Sequence, residues 1–160
     1  MYILSSMQDI SETVSYQKQL KSMLESDVLT SARNAQYFYT KVSDLIDEYA
    51  HVQKELTLMK IKVSNFEEIH NMFGHEKSEV LLAKLASFFT TSIRGTKDVV
   101  IRYDRDEFFI VLPDTSIEDA KNHVARRIIE DSRETELFII GEGIRIRPKF
   151  FIGIAGLRVE

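Results

Sequence analysis

The chain has no cysteine among its 160 residues. That excludes disulfides, thiolate metal sites and cysteine nucleophiles together, and it suits a reducing cytoplasm. Only two Pro and six Gly punctuate the sequence, so its secondary-structure elements must be long. Long apolar runs are also missing. "FFIGIAGL" (Phe150 to Leu157) is among the longest, far short of a bilayer span. The opening "MYILSSMQDISE" carries neither a basic lead nor an apolar signal core. Positive charge is not in excess. The 21 Lys and Arg face 25 Asp and Glu, a net charge of −4, which points away from nucleic acid and from membrane contact.

What is present is material for one core. The chain is 44% hydrophobic, with ten Phe and six Tyr, enough for a single globular domain. "YILSSMQDIS" reads as a strand running into a cap, with Ser11 and Glu12 opening a helix. From there to Asp27, Tyr16, Leu20 and Met23 form a thin apolar seam, suited to a helical stalk that pairs with its own copy. A helix through "NAQYFYTKVSDLIDEYAHV" presents Phe38, Val42, Leu45 and Tyr49 on one face. "ELTLMKIKV" (Glu55 to Val63) alternates as a strand. A short helix ends at Gly74, and a longer one carries Leu82, Leu85 and Phe89 inward. Strands near Val99–Tyr103 and Glu107–Leu112 form a hairpin. A helix from Ile117 to Asp131 turns Ile117, Ala120, Val124 and Ile128 inward, and the end is strand-like around Pro148. In "IRIRPK", Arg145 and Arg147 share one solvated strand face. The order predicts an α+β sandwich, the βααββαβ pattern of a ferredoxin-like, nucleotide-cyclase-like sheet with helices on one face.

The hairpin "RYDRDEFFIVLPDT" (Arg102 to Thr115) is unusual. Tight bends favour Gly or Asn, which tolerate positive φ, yet this one holds Asp104, Arg105, Asp106 and Glu107. "RYDRDEF" resembles the R-Y-G-G-D/E-E-F hairpin of the GGDEF domain family of bacterial diguanylate cyclases. "DVLTSARN" (Asp27 to Asn34) is similar to that family's entry motif D-x-L-T-G-L-x-N. "KVSNFEEIHNMFGHEKSE" (Lys62 to Glu79) resembles its D-x-D-x-F-K-x-I-N-D-x-x-G-H-x-x-G-D, and "FFIGIAG" its S-I-G-V-A strand. Four motifs in order are a specific signal. The resemblance divides the chain into residues 1–26, the end of a PAS-type sensor and a signalling helix, and residues 27–160, a GGDEF domain. The family's closing helix has no match before Glu160, and the chain looks excised from a longer signalling protein.

Family cyclases join two GTP molecules at divalent cations, which want hard oxygen ligands. The resemblance places the first-strand carboxylates at Lys62 and Ser64. An ammonium has no lone pair to give a metal, and Lys62 is expected to pair with Asp106, the retained metal carboxylate. Asp104 and Arg105 replace the two glycines, beside Glu107 and Phe108. Glu67 stands where the family has a lysine. The guanine-reading positions fall at His70 and Glu79, beside Phe66, and Ser78 replaces a glycine. The inhibitory product site is reduced to Asp98 and a displaced Arg94, with Gly95 at the arginine position. Phe66, Phe73 and Phe108 also have plain core roles. His75 is expected to hydrogen-bond backbone at a helix end, and His51 and His123 have no clustered partner. No Ser-His-Asp arrangement, Walker loop or zinc spacing appears.

The resemblance therefore implies a degenerate cytoplasmic GGDEF domain, non-catalytic and without cofactor. It would act as a regulatory or dimerisation module, a homodimer through its N-terminal helix, between sensor and output domains. Two alternatives stand beside this. One is a receptor for GTP or cyclic di-GMP. The other is an active cyclase, which alone would need Mg²⁺.

Overall fold

The computed structural model describes residues 2–134 and 138–157. The expected domain span of residues 27–160 runs past the described residues at 135–137 and at its end. Helix α1 is Tyr2–Leu24, so the strand expected in "YILSSMQDIS" is instead the first turns of one long helix. Helix α2 (35–51) contains a π-helical segment at Phe38–Val42. Strand β1 is Leu56–Val63, followed by α3, Phe66–Phe73, and α4, His75–Ser92. Strands β2 (Val99–Asp104) and β3 (Glu107–Pro113) make the hairpin. Helix α5 (117–131) is again wound through a π segment, at Ala120–Ala125. A short pair, β4 (Ile139–Ile140) and β5 (Ile144–Arg145), precedes β6, Phe150–Gly156.

The four main strands form one antiparallel sheet in the order β2-β3-β1-β6. With β3 between β1 and β2, this is the expected split βαβ arrangement. Period-two alternation sorts each strand's side chains onto two faces. Met59, Ile61, Val63, Phe108, Ile110 and Leu112 face a core that includes Phe66, Ile69, Leu81, Leu85, Phe89, Val124 and Ile128.

The helices are not confined to that face, as the sequence had suggested. Helix α2 lies on the opposite one, where Val42 and Tyr49 bury against Leu56, Ile101 and Val111. Aromatic packing explains its hold on the hairpin. The Phe38 ring sits 4.8 Å from Phe109 and 5.3 Å from Tyr103, and Tyr39 and Tyr103 share a 2.6 Å hydroxyl hydrogen bond. Ile117, expected inward, is 41% exposed and lies across Gly156.

Gly74 serves two helices at once. Its φ of +88° closes α3, and it precedes the first residue of α4. A side chain would strain that conformation. Phe89 is fully buried, with ring centroids 5.1 Å from Phe108 and 5.8 Å from Phe150. Replacing it with Ala should cost about 3–5 kcal/mol in urea unfolding. A loss below about 1 kcal/mol would contradict this placement of the core.

Candidate functional site

The charged bend is built without positive φ. Among the described non-glycine residues only Gln53 and Asp114 have it, and neither is in the bend. The β2–β3 register shifts between Arg102 and Asp104, so a local irregularity brings the strands round onto Asp104 opposite Glu107. Two further contacts hold the turn. The Asp104 carboxylate accepts from the Arg105 N–H at 2.7 Å, and Arg102 donates to the Arg105 carbonyl at 3.2 Å.

Arg102 is the junction of this end of the molecule. Its guanidinium also lies 3.3 Å from Asp27, with both side chains only 16% and 15% exposed. Asp27 in turn accepts from the Thr30 hydroxyl and backbone N–H, at 2.7 and 2.9 Å. The loop after α1 is pinned to β2 through Arg33, whose N–H donates to Val100 O and whose carbonyl accepts from Arg102 N–H. The entry motif thus couples the end of α1 to the bend. Sequence reasoning missed this pairing, although both residues lay in recognised motifs.

The far face of β1 carries the charge reversal. Lys62 stands opposite Glu107 in the β1–β3 register. Its ammonium lies 3.9 Å from the Glu107 carboxylate, and Lys60 approaches the same group at 3.6 Å. The expected partner, Asp106, is corrected. It sits in the turn, where its carbonyl accepts from Val63 N–H at 3.0 Å, and its carboxylate has no ion-pair partner among the described residues. Ser64 is committed elsewhere, its N–H and hydroxyl both directed to the Lys149 carbonyl at 2.8 and 3.2 Å.

This donor set does not fit a divalent cation. Each ammonium at about 5 Å would repel a dication by roughly 2 kcal/mol even with full water screening, and by more near the protein surface. Among the described residues no three His, Asp or Glu side chains gather to compensate.

The bend also reaches across to α3. The Arg105 guanidinium sits 4.9 Å over the Phe66 ring and 3.6 Å from Glu67. It bridges the hairpin and the start of α3. Further along, His75 does not cap α3 through backbone as expected. It belongs to α4, and its Nε2 lies 3.1 Å from Glu79. The His70 ring is 6.3 Å from Phe66 and 6.0 Å from His75. Glu67, His70, His75, Glu79 and Arg105 therefore form one connected group over the buried Phe66.

Arg94 and Asp98 are not brought to it. They precede β2, at the end of the strand away from the bend, roughly 20 Å off at strand rise. The Gly95 N–H donates to the Asp98 carboxylate at 2.8 Å, and a Cβ built on Gly95 would lie 2.5 Å from its oxygens. No larger side chain fits at position 95 while Asp98 holds this conformation. Burial pushes the Asp98 carboxyl above its ordinary range, and the Gly95 hydrogen bond partly offsets this.

An antiparallel 2-3-1-6 sheet with this hairpin defines a nucleotide-cyclase-like domain. Residues 24–159 match the family described as "Diguanylate cyclase, GGDEF domain". The chain is 30% identical over 136 residues to the probable diguanylate cyclase DgcE of Escherichia coli K12, covering 85% of this chain and 12% of that protein. Among solved structures, the GGDEF domain of PA1120 (TpbB or YfiN) from Pseudomonas aeruginosa matches with a TM-score of 0.73 at 25% identity. That match covers 81% of this chain and 74% of the other. The coiled coil and GGDEF domain of DgcB from Caulobacter crescentus, in complex with c-di-GMP, shares the fold with a TM-score of 0.78 at 15% identity, covering 98% and 81%. The chain belongs to the GGDEF domain family. It spans 12%, 38% and 42% of the length of three curated relatives. Among the described residues no helix is long and apolar enough to cross a membrane.

The Asp27–Arg102 contact makes a direct prediction. In a double-mutant cycle of Asp27→Ala and Arg102→Ala, read by urea unfolding, the coupling should be about 1–3 kcal/mol. Additivity within about 0.5 kcal/mol would contradict the coupling of stalk and bend.

Proposed function

We propose that this chain is a degenerate GGDEF domain of a bacterial cyclic di-GMP signalling protein, a regulatory and dimerisation module that does not make cyclic di-GMP. The observation that carries the reading is the charge at the site. Lys62 and Lys60 claim Glu107, and Arg105 lies on Phe66 and Glu67. GTP condensation requires divalent cations to hold phosphoryl charge in the transition state. An ammonium where a carboxylate should ligate, with a second one beside it, opposes that requirement.

The scaffold that transmits a signal is intact by contrast. Helix α1 leads into the entry motif, and Asp27 and Arg102 tie that motif to the bend. Along α1, Ile10, Val14, Tyr16, Leu20, Met23 and Leu24 are 43–75% exposed. This seam supports pairing with a second copy; in this reading the dimer is cytoplasmic and lies between a sensor and an output domain. The same charges support a domain that works without a cofactor.

The receptor reading draws on Glu79, which stands at a guanine-reading position, and on Asp98 and Arg94, the remnant of the inhibitory site. Both carboxylates are already engaged, Glu79 by His75 and Asp98 by the Gly95 N–H.

The decisive test incubates the dimeric protein with GTP and Mg²⁺ or Mn²⁺ and assays for cyclic di-GMP, alongside thermal unfolding with GTP or cyclic di-GMP. No product and no shift are expected. The triple substitution Lys62→Asp, Asp104→Gly and Arg105→Gly should gain a Mg²⁺-dependent rise of about 5–10 °C with saturating GTP. Product from the unaltered protein would overturn the proposal. A nucleotide-dependent shift without product would favour the receptor reading.

A further inference from the structure

The edge of the domain behind α3 carries a set of cations that the nucleotide reading does not use. Residues 145–149 leave β5 and pass Pro148 before entering β6. Pro148 fixes its own φ and biases Arg147 toward extended backbone. Asn65 clamps the same stretch, donating to the Arg147 carbonyl at 2.9 Å and accepting from the Lys149 N–H at 2.8 Å. The Ser64 N–H adds its hydrogen bond to the Lys149 carbonyl. Ile146 is buried beneath, so Arg145, Arg147 and Lys149 all face outward. In an extended chain such alternate side chains are about 6.5–7 Å apart.

These three cations have no ion-pair partner among the described residues. They border a cavity of about 350 Å³ floored by Ile146 and walled on the α3 side by Met72 and Phe73. Met72 is 69% exposed. An adjoining cavity of about 250 Å³ shares Arg147 and Lys149 and adds Arg133. Glu68 lines the α3 wall without forming an ion pair with any of them. In a chain of net charge −4, this is a local reversal of sign on a backbone held rigid by side-chain clamps.

We propose that this groove docks an extended acidic segment of a partner protein. Its alternate carboxylates would meet Arg145, Arg147 and Lys149, and an apolar side chain between them would rest on Met72 and Phe73. A two-residue repeat of acids matches the spacing of the cations, and the exposed methionine supplies an adaptable apolar seat. Nucleic acid fits less well. The aromatics that line the two cavities among the described residues, Phe73 and Phe138, pack with the core rather than standing as stacking platforms.

The test uses a fluorescein-labelled peptide of Glu-Leu-Glu-Thr repeats, its Gln-for-Glu counterpart and a labelled single-stranded oligonucleotide, each titrated with the full chain by fluorescence anisotropy. The acidic peptide should bind and the Gln peptide should not. Binding should weaken roughly tenfold or more in Arg145→Glu/Arg147→Glu. It should also fall as salt rises from about 0.01 M to about 1 M, which shortens screening from about 30 Å to about 3 Å. Both arginines are exposed, and circular dichroism checks that the variant is folded. Absence of acidic-peptide binding, equal binding by the charge-reversed variant, or tighter binding of the oligonucleotide would each overturn the proposal.

Discussion

Two ammonium groups, on Lys60 and Lys62, converge within 4 Å of the single carboxylate of Glu107, on the face of β1 that points away from the main core. The register makes the contact unavoidable. Lys62 and Glu107 are directly opposed partners in an antiparallel pair, and Lys60 is on the same face two residues away. The side chains of Lys60 and Lys62 are about half exposed, so the ion pairs themselves add little stability. Their importance is to set the sign of the local field. Anything that depends on a divalent cation here must first overcome it.

The same bend holds its shape without the glycines that tight hairpins favour. A register shift, the Asp104 carboxylate and the Arg102 guanidinium together do the work of a permissive backbone. Arg102 is shared between this task and the ion pair with Asp27, so scaffold and bend are linked through one side chain. Fold and chemistry are separable in this domain. The core of Phe89, Phe108, Leu85 and Ile110 is closed regardless of what the bend can bind.

Much of the architecture was legible in the sequence because it depends on local pattern. Alternation marked β1, Gly74 marked the end of α3, and spacing of three and four marked the buried face of α4. The opening "YILSS" misled because a short apolar run fits strand and helix alike. The second helical layer was missed because the face Phe38 covers depends on Tyr103 and Phe109, far along the chain. At the site, residue types were readable and partners were not. Lys62 seemed destined for Asp106, but Asp106 lies in the turn while Glu107 occupies the paired position. Asp27 and Arg102 are 75 residues apart, and no spacing rule reaches that far. Only placement on a three-dimensional scaffold joins Arg105 to Phe66.

The most direct measurement is an NMR titration with Mn²⁺, whose unpaired electrons broaden nearby amide signals. Asp106, Glu107 and Val63 form the place where a cation would sit between β1 and the bend. If Lys60 and Lys62 govern that place, their amides should broaden no more than those of exposed acids elsewhere, and adding GTP should not change this. Selective broadening of these three amides that saturates with one equivalent of Mn²⁺ would contradict the account.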